Sequence, residues 1–214
     1  MIELLFAAGS MVAQSVSPAT AAVAPQLRNA EDVITYSDYP EEALRRREYG
    51  ITSIVLQVTA QGSISGCAVT ESSGSPTLDR KTCAVYVKRA RFTGATDATG
   101  QLIAAEFRAG TSWGVEDHQP STLMSVPLLV KTLPPEYRDP VKARLLFDAS
   151  GRVARCDVTT TSGSGAADRA ACTYIRTILT VTPPKAATSD VAPVAVRYLT
   201  ASYLVQPGET TAPR

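Results

Sequence analysis

The sequence is poor in the groups on which most catalysis and metal binding draw. It holds one histidine, His118, which disfavours a histidine-based acid–base site or a multi-histidine metal centre. No C-x-x-C pair occurs, so the common zinc and thioredoxin-like motifs are missing. Neither sign of charge dominates: 21 Lys and Arg face 20 Asp and Glu, without the basic excess that phosphate backbones demand, and no nucleic-acid partner is expected. No segment reaches the roughly 20 apolar residues of a membrane-spanning helix, so no membrane span is expected. What is present, 44% hydrophobic residues in a chain of 214, suffices for one globular domain or for two small ones.

The first residues differ from the rest. Leu4 to Ala13 is a short apolar run, followed by a Ser/Ala/Thr-rich stretch in which Ala22 and Ala24 resemble a cleavage site. Residues 1–24 are therefore read as a secretory signal peptide, although the basic flank is missing and Pro25 suits cleavage poorly. A start downstream of the true one would explain the missing flank, and an Ala-rich leader on a cytosolic protein is the alternative. Four cysteines weigh against the cytosol. Cys67 and Cys83 stand 16 apart, as do Cys156 and Cys172, and an even count at a repeated spacing reads as structural disulfides in an oxidising compartment. The localisation expected is the periplasm.

A shift of 89 residues, the distance from Cys67 to Cys156, brings much more into register. Gly62 falls on Gly151, Val69-Thr70 on Val158-Thr159, Ser73-Gly74-Ser75 on Ser162-Gly163-Ser164 and Asp79-Arg80 on Asp168-Arg169. Between 62 and 83 there are 10 identities in 22 positions without a gap. Ahead of this stretch Thr52, Ile54, Leu56 and Val58 alternate with Ser53, Val55 and Gln57, the period of a strand. The same shift puts Val141, Ala143, Leu145 and Phe147 on the matching face. Two tandem copies of one small domain are expected.

Each copy then has an order of elements. In the first, a short helix over 40–47 leads to strands at about 51–60 and 63–71, a helix at about 77–91 and a last strand over 101–108. Cys67 shares a strand face with Val69, the face taken to lie under the helix that carries Cys83. A Cys67–Cys83 bridge would staple helix to sheet, and Cys156–Cys172 would do the same in the second copy. Each closes a loop of 15 intervening residues, for about 3 kcal/mol in the chain-entropy estimate. In the second copy, prolines at 134, 135 and 140 preclude the opening helix, and the last strand is expected within 191–205. Trp113 and His118 fall in the linker, and Tyr86 and Tyr174 are expected between helix and sheet.

Tyr39-Pro40, the strand–turn–strand around Gly62, the Ser73-Gly74 loop, Leu78-Asp79 at a helix start and Arg91-Phe92 beyond its end together resemble the TonB C-terminal domain family. The resemblance covers about 38–109 and is weaker in the second copy. It implies an α+β fold, each copy a three-stranded antiparallel sheet with helices on one face. The domain plan is a leader at 25–37, a first TonB-C-like domain at 38–110, a linker at 111–132, a divergent second domain at 133–205 and a disordered tail at 206–214. The resemblance also implies a protein or peptide partner, such as the TonB box of an outer-membrane transporter, captured by strand addition at a sheet edge. That edge would be Leu102, Ile103, Ala104, Ala105, Glu106, Phe107 and Arg108, unless the linker or the second copy covers it.

TonB itself has a membrane anchor and a long Pro-rich spacer. Here the apolar start is too short to anchor, and the 14 prolines are scattered, so energy transduction does not carry over with the fold. The other class is a disulfide-stapled structural module of the envelope. An enzyme is disfavoured, and no cofactor or metal is implied. Glu71, Asp79 and Asp168 are candidate carboxylates and Ser72 and Ser73 candidate nucleophiles, yet no base lies near, and Asp79 and Asp168 suit helix starts without catalysis.

Overall fold

The computed structural model describes residues 21–206. The chain is α+β and opens with β1 (Gln26–Leu27), α1 (Ala30–Val33) and α2 (Glu41–Arg45). Next come β2 (Gly50–Val58), β3 (Ile64–Glu71) and α3 (Pro76–Arg89), then the short strands β4 (Phe92–Thr93), β5 (Ala95–Thr96) and β6 (Leu102–Ile103) and the long β7 (Ala105–Trp113). The remainder is β8 (Leu123–Val130), β9 (Val141–Phe147), β10 (Val153–Thr160), α4 (Gly165–Ile178) and β11 (Ala195–Val205).

Two sheets organise these elements. The first runs β3-β2-β7 and the second β10-β9-β11-β8. In each, an antiparallel hairpin leads to a helix and then to a strand that returns beside the hairpin's first strand. Period-two alternation sends Ile54, Leu56 and Val58 to one face of β2, where they are buried with Val85 and Tyr86 of α3. Val141, Ala143, Leu145 and Phe147 of β9 are buried in the same way with Ala167, Ala171 and Ile175 of α4. Both hairpins turn on a glycine at positive φ, Gly62 at 81° and Gly151 at 76°. A Cβ at Gly62 would strike the carbonyl of Phe92, and one at Gly151 that of Val181.

Both helices are pinned in the same way. Cys67 is bonded to Cys83 and Cys156 to Cys172, with Cα separations of 5.8 and 5.9 Å. Ser75 and Ser164 cap the helices, their hydroxyls accepting from the N–H groups of Leu78 and Ala167.

Several expectations need correction. The last strand of the first sheet begins at Ala105 and runs to Trp113, because Leu102 and Ile103 pair with Thr96 and Ala95 instead of with β2. The stretch 111–132 is no plain linker: it finishes β7 and supplies β8, which adds to β11 in parallel and makes the second sheet four-stranded. The stretch 25–37 is built into the first unit, since Gln26 and Leu27 pair with Thr93 and Phe92 and Val33 is buried. Tyr174 lies half exposed on the outer side of α4, whereas Tyr86 is buried. Trp113 is buried against Tyr39, its indole N–H donating to the Thr82 hydroxyl at 2.9 Å. His118 stacks on Tyr49 at the surface. As the prolines led one to expect, no helix forms over 133–140; Tyr137 there meets Tyr203 edge-on, much as Tyr39 meets Trp113. Of the signal peptide expected at 1–24, residues 1–20 lie outside the described residues, as does the expected tail beyond 206. No helix among the described residues is long and apolar enough to cross a membrane.

Candidate partner-binding edges

Strand addition needs an edge whose outward N–H and C=O groups are free. On β7 these belong to the even-numbered residues, because the Arg108 carbonyl accepts from Arg144 and the Gly110 N–H donates to the Tyr198 hydroxyl, both in the second sheet, at 3.3 Å each. Odd-numbered residues therefore bond β2, and Glu106 presents its backbone outward with no partner among the described residues. Its side chain accepts from Gln57 at 3.2 Å and from Arg108 at 2.9 Å. Phe107 packs edge-on against Phe92 at 4.8 Å, and the Arg144 guanidinium stands 4.8 Å from the Phe107 ring. The seven residues of 102–108 thus divide. Leu102 and Ile103 belong to a different strand pair, Ala104 to Phe107 flank an open stretch, and Arg108 is covered.

The cover is the start of β11. Its N-terminal end lacks a β8 neighbour and instead meets the first sheet. Just ahead of it, the Val194 N–H donates to the Thr70 carbonyl at 2.9 Å, and the Val194 carbonyl accepts from the Thr70 hydroxyl at 2.7 Å. The Val196 N–H donates to Ser53 Oγ at 2.9 Å, and Gly110 is required here because a Cβ would lie 2.5 Å from the Val196 carbonyl oxygen. Beside it Arg197 forms a two-pronged bond to Glu71, at 2.8 and 2.9 Å, with both side chains only 9% exposed. Ser53 adds a third bond to Glu71 at 2.6 Å. A cleft of about 440 Å³ opens above this pair, lined in part by Tyr49, Ser72, Ser73 and Pro183-Pro184-Lys185.

The other candidate carboxylates hold loops. Asp79 accepts from the Ser72 and Ser73 hydroxyls, at 2.5 and 2.8 Å, from the Ser73 N–H at 2.9 Å and from Thr52 at 2.9 Å. Asp168 repeats this with Thr161 and Ser162 at 2.6, 2.7 and 2.9 Å. Burial by itself raises the Asp168 carboxyl, but the Thr161 and Ser162 bonds outweigh it and hold the group below the usual carboxylate range. Ser72 and Ser73 spend their hydroxyl protons on this loop. Asp38 is treated alike: burial opposes ionisation, while bonds from Thr35 and Arg89 bring its pKa down to about 2.

The motif residues sit where their chemistry is used. Tyr39 donates from its hydroxyl to the Glu48 carbonyl, Pro40 precedes α2, Leu78 is fully buried under α3, and Gly74 takes φ 90° beside Ser73. Arg91 is exposed and returns bonds to the carbonyls of Lys88 and Ala90. Sequence reasoning missed Arg144, Tyr198 and Arg197, whose partners lie 36 to 126 positions away, and it missed β8. The alternation of Met124, Val126, Leu128 and Val130 was the signal for that strand.

Comparison with known proteins gave no match among curated proteins and none among solved structures. Residues 35–111, from the turn before Tyr39 to near the end of β7, match the family model described as Gram-negative bacterial TonB protein C-terminal, and this is the part of the chain similar to TonB.

Proposed function

We propose that this is a periplasmic protein whose first unit binds a peptide or protein partner by strand addition beside Glu106, and whose second unit is a divergent TonB-C-like copy that braces it. The observation that carries this reading is β8. On β11, the strand that occupies in the second sheet the place β7 occupies in the first, eight consecutive residues of an extended segment are added in register. The chain thus uses on one unit the mode of association ascribed to the other. Two disulfides fit an oxidising compartment. The TonB family match supports a protein partner, with the TonB box of an outer-membrane transporter as the first ligand to try and TonB-dependent transport as the setting.

The test is a titration of a labelled TonB-box peptide into the wild-type protein and into Glu106→Pro. The proline removes one outward N–H and no bond to β2, so the fold survives. Saturable binding that the substitution abolishes is expected; no binding, or equal binding to both proteins, refutes the assignment. A structural envelope module is the second reading. It is favoured by the occupation of the Arg108 and Gly110 backbone groups, which leaves a short open stretch.

A further inference from the structure

Each of the four edges of the two larger sheets has a different fate. The far end of β3 is closed by Val194 on Thr70 and by the Lys185 carbonyl on the Ser72 N–H. The centre of β7 is closed by Arg144 and Tyr198. On β8, the Tyr198 and Gln206 N–H groups bond the carbonyls of Thr122 and Val130, so even-numbered residues face β11 and Pro127 stands on the outer side, where it offers no donor. The fourth edge, β10, is closed only ahead of its first residue, where Arg152 bridges to Thr180 and the Val181 N–H donates to the Gly151 carbonyl at 2.9 Å, and has no such closure along Val153–Thr160 among the described residues.

The alternation can be followed across the sheet. Even-numbered residues of β11 serve β8, so its odd-numbered residues serve Val141, Ala143, Leu145 and Phe147 of β9. The even-numbered residues of β9 are left for β10, where Arg144 and Leu146 meet Asp157 and Arg155. Cys156 and Val158 therefore turn their backbone groups outward. Among the described residues the contact there is the Cys172 sulfur, 3.8 Å from the Cys156 carbonyl oxygen. Val158 is 41% exposed, and Ala154, Thr159 and Thr160 are exposed as well.

Basic side chains border this edge. Cys172 is tied to Cys156, and the residues three before and four after it on α4 share its face, so Arg169 and Arg176 form a stripe along β10. Both are exposed, and neither is in an ion pair among the described residues. On the opposite face of the strand stands the exposed Arg155. The acids nearby are engaged: Asp157 by Arg144 and Arg155, and Asp168 by its own loop. The corresponding stripe of α3 holds Arg80 and Val87.

We propose that the outer edge of β10 is a second strand-addition site and that it takes an extended acidic peptide. The added strand bonds to Cys156 and Val158, and its alternate carboxylates lie under Arg169 and Arg176. This site is separate from the edge at Glu106, and either one can fail without the other.

The probe is an acetylated, amidated hexapeptide of alternating Glu and Val, with the Lys/Val analogue as control, measured by isothermal titration calorimetry and by NMR amide exchange on the full chain. Expected are binding of the acidic peptide alone, weakening with salt, and slowed exchange at Cys156 and Val158 but not at Glu106. Arg176→Glu should weaken binding about tenfold by reversing a bordering charge. Val158→Pro should abolish it while leaving the β9 ladder and the melting curve intact. Equal binding of both peptides, binding insensitive to both substitutions, or protection at Glu106 instead would overturn the proposal. So would slow exchange at Cys156 and Val158 without peptide in a dimeric protein, which would assign the edge to a second copy of the chain.

Discussion

Removing one partner of the Glu71–Arg197 pair is the sharpest test of how the two units are joined. In Arg197→Met, Glu71 loses two charge-assisted bonds and keeps Ser53 alone, at a site only 7% exposed. A buried carboxylate left in that state costs about 3 kcal/mol, and Glu71→Met, which strands the guanidinium, costs about the same. For a chain of this size the loss lowers Tm by about 6–12 °C. The double variant, apolar on both sides, should cost about 1 kcal/mol or less, so the pair is strongly non-additive. Trp113 supplies the assay, because the chain's single tryptophan is buried in the first unit. In urea, its fluorescence and far-ultraviolet circular dichroism should move together in the wild type and separate in either single variant, as the units begin to unfold independently. Single variants costing less than about 1 kcal/mol, or a double variant equal to their sum, would refute this account.

Two further outcomes follow from the same geometry. Replacing Cys67 and Cys83 by serine should lower stability by about 3 kcal/mol, with the Cys156–Cys172 pair giving a similar loss in calorimetry under non-reducing conditions. The carboxyls of Asp38 and Asp168 are depressed on folding, so the stability they contribute is present above about pH 4 and is lost as pH falls, for Asp38 towards about 2. Urea midpoints measured down the acid range should fall there, less steeply in Asp38→Asn; a slope unchanged by that substitution would remove Asp38 from the explanation.

Local chemistry made much of this protein readable from its sequence. The alternation of Ile54, Leu56 and Val58 marks a strand with one buried face. Gly62 and Gly151 mark turns that only a residue free to take positive φ can make. The 16-residue cysteine spacings reflect a helix lying on the hairpin before it. Asp79 and Asp168 announce themselves as partners of the serines just upstream. Each of these is settled by residues within about a hairpin's length, and so leaves a local pattern. The relation between the two sheets left none. Arg197 looked like any strand arginine, and Glu71 like an isolated carboxylate, until folding brought them together across 126 positions. Gly110 carried no turn signal, because what it accommodates is the carbonyl of Val196 from the other unit. Nor could composition tell that 123–130 would add to β11, or that Arg144 and Tyr198 would cover half of the β7 edge. Sequence alone determined the two hairpins, the long helix that follows each and how that helix is clamped. Only the tertiary structure decided which edges stay open, because edge pairing depends on backbone groups that every residue carries alike.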